Sequence, residues 1–365
     1  MDLVTTTMNG AEFKIKLKQE FARLYCPNET QLDTINIYKF ESTKKTANRD
    51  CHFIIEYKEK KYHAKPALHG SGVSNNCRYN EAAMYFLLDN LGYGPHAQSS
   101  VINNVLVIFS EDLSCRSRHD KTFKKTSFED NNQNNLLKTI PETQKDNIHR
   151  CAIELIMKLF CLGDLENNLG NSGFETLTKE DNTKEQKPVI LDFTILNETA
   201  ISRRASPDNC EAGIFFPDPN YNMVSKVDSA RIYADIIASY LDKNQEDFPD
   251  ALFSFTATGD IFQQAIKMLF FDKNIKEQIK ISFGKARSIV TGSDFTENDN
   301  NIKELNKKEE ILLQCIDAFL DNKSIALLTK NGDIMQEHSG KRSLEGPSTT
   351  LTPIPDGAER KKQRM

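Results

Sequence analysis

Five short stretches rich in β-branched and aromatic residues, interrupted once by a helical segment, occupy residues 34–110 of this 365-residue chain. That order restricts the folds open to it. TINIYKF (34–40), CHFIIEYK (51–58) and KKYHAKPA (60–67) read as strands, with a hairpin turn around Glu59–Lys60. RYNEAAMYFLLDNLGYG (78–94) reads as a helix, with Asn80 as N-cap candidate, Glu81 in the first turn and Gly92 placed to stop it. AQSSVI (97–102) and VLVIFS (105–110) follow as strands, joined by the turn-prone pair Asn103–Asn104.

The remainder has a different texture. Residues 114–147 are first densely basic and then polar, which predicts a loop with at most short helices. IHRCAIELIMKLFCL (148–162) spaces Ile148, Ala152, Ile156, Leu159 and Phe160 on one helical face, and PVILDFTI (188–195) reads as a short apolar strand. Beyond residue 225 helical periodicity dominates, clearest in 229–241, 260–271 and 302–320. The stretch from about 336 is rich in Pro, Ser, Thr and charge, which predicts disorder. Fold class is therefore α+β.

A formal net charge of -5 argues against a general nucleic-acid binder. The eight cysteines show no CxxC pair and no His partner at metal-ligand spacing, so they read as free thiols of a reducing compartment. No apolar run approaches a membrane span, and the first residues lack the apolar core of a secretory signal. A cytoplasmic site of action is expected.

Taken singly, a strand Lys, a first-turn Glu and an Asp after an apolar strand are commonplace. Their order is not. Lys65 lies in the third strand, Glu81 follows sixteen residues later in the helix, an acidic and Asn-containing loop ends the long helix, and Asp192 follows an apolar strand. From about residue 30 to residue 200 this order and spacing resembles the protein-kinase superfamily, whose N-lobe runs three strands, one helix, two strands. The resemblance implies a bilobal fold with a β-rich N-lobe, a helical C-lobe and a helical C-terminal extension. It implies that Lys65 holds the α and β phosphates of ATP with Glu81 pairing it, and that Asp192 in LDF binds the Mg²⁺ or Mn²⁺ that bridges the phosphates. Phosphoryl transfer needs cations to spread charge, carboxylates to hold metal and one acceptor to orient the attacking hydroxyl.

The loop CLGDLENNLGNSGF (161–174) fits that pattern in two registers. In one, GDL resembles the GDLHPGN loop of aminoglycoside-type and small-molecule kinases, making Asp164 the base, with two extra residues before GN. In the other it aligns without gaps to the GNTDxHxxNxGF loop of HipA-like kinases, with Glu166 in the base position and Asn171 as metal ligand. Spacing favours Glu166 and chemistry favours Asp164. Asn168 is a reserve metal ligand.

The chain departs from the family in several places. STKKTANRD (42–50), where a glycine-rich loop belongs, has no glycine, leaving Lys44, Lys45 and Arg49 to grip phosphate by charge. HRD and APE are absent, and DFG reads DFT. A pseudokinase binding module and a lipid or small-molecule kinase are the alternatives to an atypical protein kinase.

In CRSRHDKTFKKT (115–126), Arg116, Arg118, His119, Lys121, Lys124 and Lys125 fall within ten residues. Such density repels itself unless an anion neutralises it, and a compact polyphosphate suits it better than nucleic acid, because apart from Phe123 no aromatic residues are interleaved for base stacking. Lys14, Lys16, Lys18 and Arg23 form a second basic strip. The architecture also resembles effector kinases of intracellular bacteria of the Legionella type. That resemblance implies secretion into a host cytosol, activation by inositol hexakisphosphate and peripheral docking on phosphoinositide membranes, with a protein substrate that the sequence does not name. RRAS (203–206) has the basic-basic-x-Ser order of a phosphorylation site. The expected divisions are 1–113 (N-lobe), 114–225 (C-lobe core with the basic insertion), 226–335 (helical region open to lipid or a partner) and 336–365 (tail).

Overall fold

The structure, a computed structural model, describes residues 11–28, 32–40, 52–67, 79–103, 105–113, 121–125, 144–160, 162–163, 172–178, 184–190, 194–195, 226–243, 248, 253, 257–292 and 298–328. It is an α+β arrangement. A five-stranded antiparallel sheet holds the N-terminal half, and most of the remainder is helical.

The chain opens with helix α1 (Ala11–Tyr25), which the strand-centred reading of the sequence did not single out. Phe13, Leu17 and Phe21 recur every four residues and bury one stripe, while Lys14 stays exposed and Lys16 pairs with Glu12 at 3.1 Å. Strands β1 (Asn36–Lys39), β2 (Phe53–Tyr57) and β3 (Lys60–Pro66) follow. The β2–β3 turn sits at Lys58–Glu59, one residue earlier than the sequence suggested. Both residues have positive φ (46° and 64°), the backbone of a tight primed hairpin turn.

Helix α2 (Tyr79–Leu91) separates β3 from β4 (Ala97–Ile102) and β5 (Val105–Glu111), giving strand order β1-β2-β3-β5-β4. Asn80 lies inside α2 rather than at its N-cap, and its side-chain oxygen accepts from the Glu81 N–H at 3.0 Å. Gly92 stops the helix at φ +75°, a left-handed conformation that glycine adopts without steric cost.

Alternation along the strands feeds two cores. Phe53, Ile55, Tyr62, Ala64, Val107 and Phe109 pack against α1 on one face. On the other, Leu106, Ile108 and Ala97 join α2 in a larger core.

Helix α3 (Gln144–Phe160) begins four residues before the predicted start and buries Cys151, Ala152, Leu155, Ile156, Leu159 and Phe160. Three strands form a second small sheet in the order β6-β8-β9: β6 (Lys121–Lys125), β8 (Ser172–Thr178) and β9 (Lys184–Ile190). The basic segment, expected as loop, therefore contains a strand. The run 188–195 is not one strand either: β9 starts at Lys184, and β10 (Thr194–Ile195) pairs separately with β7 (Leu162–Gly163). Pro188 falls within β9, an edge strand, where a residue without an N–H is tolerated mid-strand.

The C-terminal helices are α4 (Lys226–Asp242), α5 (Gly259–Ile266) running on into a π-helical segment (Lys267–Asp272), α6 (Ile275–Thr291) and α7 (Asn298–Leu320). They share one core with α2 and α3: Tyr233, Phe262, Phe283 and Phe319 cluster with Phe86, Leu87 and Leu155. Cys26, Cys151 and Cys315 are buried and form no disulfide. Among the described residues no helix is long and apolar enough to cross a membrane.

Candidate active site

Lys65 leaves β3 on the face that α2 covers, because its neighbour Ala64 and, two residues further, Tyr62 point into the α1 core. Register places Lys65 opposite Ile108, which lies in the core under α2. Glu81 sits in the first turn of α2. The Lys65 ammonium donates to Glu81 Oε1 at 3.1 Å.

The exposure of the two side chains is unequal. Glu81 is 7% exposed and Lys65 34%. A carboxylate buried this deeply needs a cation, and the helix N-terminus adds favourable dipole charge. The lysine side chain, for its part, stays a third exposed, so it is not sealed in the core with its partner.

A second relationship concerns the loops. Thr194 pairs with Gly163 and Ile195 with Leu162, antiparallel. The chain therefore leaves β7 toward residue 164, and enters β10 from residue 193, at the same end of this ladder. The loops that carry Asp164, Glu166, Asn168 and Asn171 on one side and Asp192 on the other share that end. Those five residues lie outside the described residues, as do Lys44, Lys45, Arg49, Arg116, Arg118, His119 and the RRAS segment. Lys121, Lys124 and Lys125 fall in β6, whose partner β8 begins one residue after Asn171, with Lys125 opposite Gly173. No group of three or more metal-ligating side chains occurs among the described residues.

The sequence reading missed one cluster. His52 Nε2 and His63 Nδ1 are 3.0 Å apart, one donating to the other, and His63 Nε2 lies 3.6 Å from Asp112. Phe40 stacks on His52 with ring centroids 4.6 Å apart. His63 is two residues before Lys65 in β3 and thus on the same face. That shared parity was the available signal.

No family model matches the sequence, and no curated protein matches it. Among solved structures, the crystal structure of a Helicobacter pylori proinflammatory kinase, CtkA, is similar at 14% identity and a TM-score of 0.37, covering 79% of this chain and 97% of that chain. At that score the overlap carries no argument about this chain.

Proposed function

We propose that the chain is an atypical ATP- and divalent-metal-dependent protein kinase. The observation that carries this reading is the ion pair between a third-strand lysine and a buried glutamate of the intervening helix, in a sheet of order β1-β2-β3-β5-β4. Kinases need this pair to hold the α and β phosphates.

In this reading Glu81 orients Lys65, and Lys65 binds the phosphates. Asn171 and Asp192 would hold Mg²⁺ or Mn²⁺, with Asn168 in reserve, and the metal neutralises charge on the transferring phosphoryl group. Glu166, five residues before Asn171, takes the proton of the attacking hydroxyl; Asp164 is the competing base. The common take-off of the two loops at the Thr194–Gly163 pair supports their convergence. Lys44, Lys45 and Arg49 supply phosphate contacts in place of glycine-loop amides. The half-buried shelf of Phe40, His52 and His63, beside Lys65, suits the flat face of a nucleobase.

Transfer from labelled ATP with Mg²⁺ or Mn²⁺ tests the proposal against an Asp192→Ala variant. Transfer lost in the variant supports a kinase. Nucleotide binding without transfer under all conditions indicates a pseudokinase scaffold instead, and transfer to a lipid or small molecule alone indicates the third reading. A polyphosphate activator such as inositol hexakisphosphate is proposed for the 116–125 segment, because β6 lies beside the strand that follows Asn171. Adding it should raise the melting temperature or turnover; no change in either removes it. Peripheral docking on phosphoinositide membranes and delivery into a host cytosol belong to the same proposal.

A further inference from the structure

The helix that carries Glu81 is buried along most of its surface, with Asn90 its one exposed residue. In α2, Tyr79, every residue from Glu81 to Leu88, and Leu91 are buried. A helix with so many buried apolar residues must be covered on more than one side, and here α6 supplies one of the covers.

The contact between α6 and α2 is polar as well as apolar. Asn90 Nδ2 donates to the buried Ser282 Oγ at 3.2 Å. The Lys285 ammonium lies 4.0 Å from the centre of the Phe86 ring and donates to Gln98 of β4 at 2.8 Å. Lys273, just ahead of α6, donates to the Leu91 carbonyl at 2.6 Å and lies 5.4 Å over the Tyr93 ring. Leu91 is the last residue of α2, so this carbonyl has no intrahelical donor, and a cation there also meets the negative end of the helix dipole.

These contacts fall between Phe86 and Tyr93, so those within α2 lie roughly 7–15 Å along its axis from Glu81. The far half of α2 is thus held at three points by one C-terminal segment, residues 273–285. A displacement of about 1 Å at Glu81 is enough to let water between it and Lys65.

We infer that α6 is a built-in brace: Lys273 and Lys285 position α2 so that Glu81 meets Lys65. These lysines are positioning residues. The purpose of the pair rests on the kinase reading, while the brace itself does not. A C-terminal region otherwise open to assignment as a partner-binding extension thereby gains a function inside the catalytic half.

The test is the acylation rate of Lys65 in the full chain without nucleotide. An amine-reactive ester at pH 7.5 is applied and labelling is read by peptide mass spectrometry against the exposed Lys14 of the same molecules. An amine that no longer donates to a carboxylate partner is more open to attack on the ester and labels faster. Glu81→Gln sets the rate without the Glu81 carboxylate. The double variant Lys273→Met/Lys285→Ala is expected to raise Lys65 labelling at least threefold, toward the Glu81→Gln rate, with Lys14 unchanged. Restoring charge and reach with Lys285→Arg in the Lys273→Met background should recover most of the native rate. Circular dichroism verifies that the variants fold. A folded double variant that labels at the native rate overturns the brace, as does an unchanged rate in Glu81→Gln, since the pair would then not be held in solution. Because no phosphate transfer is read, failure of the kinase assignment leaves this test intact. If transfer does occur, the double variant should raise the KM for ATP more than it lowers kcat.

Discussion

The backbone N–H of Ile190, at the end of β9, donates to the carbonyl of Tyr93 at 2.8 Å. This single bond fastens the strand that leads to Asp192 onto the turn that ends α2. Tyr93 is fully buried, and its hydroxyl is 3.0 Å from His149 Nδ1 of α3. One residue therefore joins the helix bearing Glu81, the helix ahead of the 164–171 loop and the strand ahead of Asp192. The proposed phosphate grip and the proposed metal and base loops are tied to a common point.

The Lys65–Glu81 pair should behave as a partly buried charge pair. Lys65→Met leaves the Glu81 carboxylate without this cation, at a cost of about 1–2 kcal/mol. That is below the cost for a fully buried pair, because Lys65 remains a third exposed. Adding Glu81→Leu to Lys65→Met should recover most of the loss, while transfer activity stays at least about 100-fold down in both. Urea unfolding and labelled-ATP transfer measure the two effects. A double variant less stable than the single one would contradict the pairing.

Gly92 holds φ +75°, and a Cβ added there would lie 3.3 Å from Lys187 Nζ and 4.0 Å from Lys273 Nζ. The steric contact is tolerable because both neighbours are flexible side-chain ends; the dihedral is the larger cost. Gly92→Ala is expected to destabilise by about 1–2 kcal/mol, and Gly92→Asn by less, since Asn tolerates the left-handed region. Calorimetric melting of the two variants side by side checks the order.

The sheet and α2 were legible because their signals are local. Alternation placed β2 and β3, Gly92 marked the end of α2, and the sixteen-residue spacing from Lys65 to Glu81 set both residues on elements that meet. What was not legible depended on tertiary covering. In α6 the buried stripe includes Ser282 and Ala286 beside Ile279 and Phe283, so its apolar signal is diluted. It is covered because α2 lies against it, a fact no local window holds. In β6 the lysines of KTFKK argued for loop, yet pairing with β8 overrides composition. The His52–His63–Asp112 cluster draws on β3 and the flanks of β2 and β5, and only the sheet register brings its members together.

The brace lysines predict a pH dependence. Burial, first, and the nearby Lys187, second, lower the pKa of Lys273 below the ordinary lysine value. Burial also lowers that of Lys285, with Asp89 opposing. Below the folded-state value both folded and unfolded chains carry the charge, and the folded chain bears its desolvation cost. As pH rises through that value toward the ordinary one, about 10.4, the folded state releases its proton first, so the unfolded state binds more protons and stability gains. The difference in unfolding free energy, native minus Lys273→Met, should therefore increase from pH 8 to pH 10. Urea titrations at fixed salt measure it, and a difference that shrinks over this range reverses the sign argued here.

The choice between the two candidate bases has a kinetic answer. Asn171 immediately precedes β8 in sequence, and Gly163 ends β7. Counting back five residues from Asn171 reaches Glu166, the spacing from base to metal-binding Asn in kinase catalytic loops. Asp164 is the first residue past the ladder, next to the Gly163–Thr194 pair. Glu166→Gln removes the proton acceptor and nearly preserves shape, so kcat should fall by about 10²–10⁴ with little change in the KM for ATP. Asp164→Asn should stay within about tenfold of native by the same reasoning, because that residue would then shape the loop without touching the transferred proton. Glu166→Asp shortens the reach by one methylene and is expected to fall between the two. The reverse order, with Asp164→Asn the more damaged enzyme, would assign the base to the GDL register and make Glu166 a loop residue.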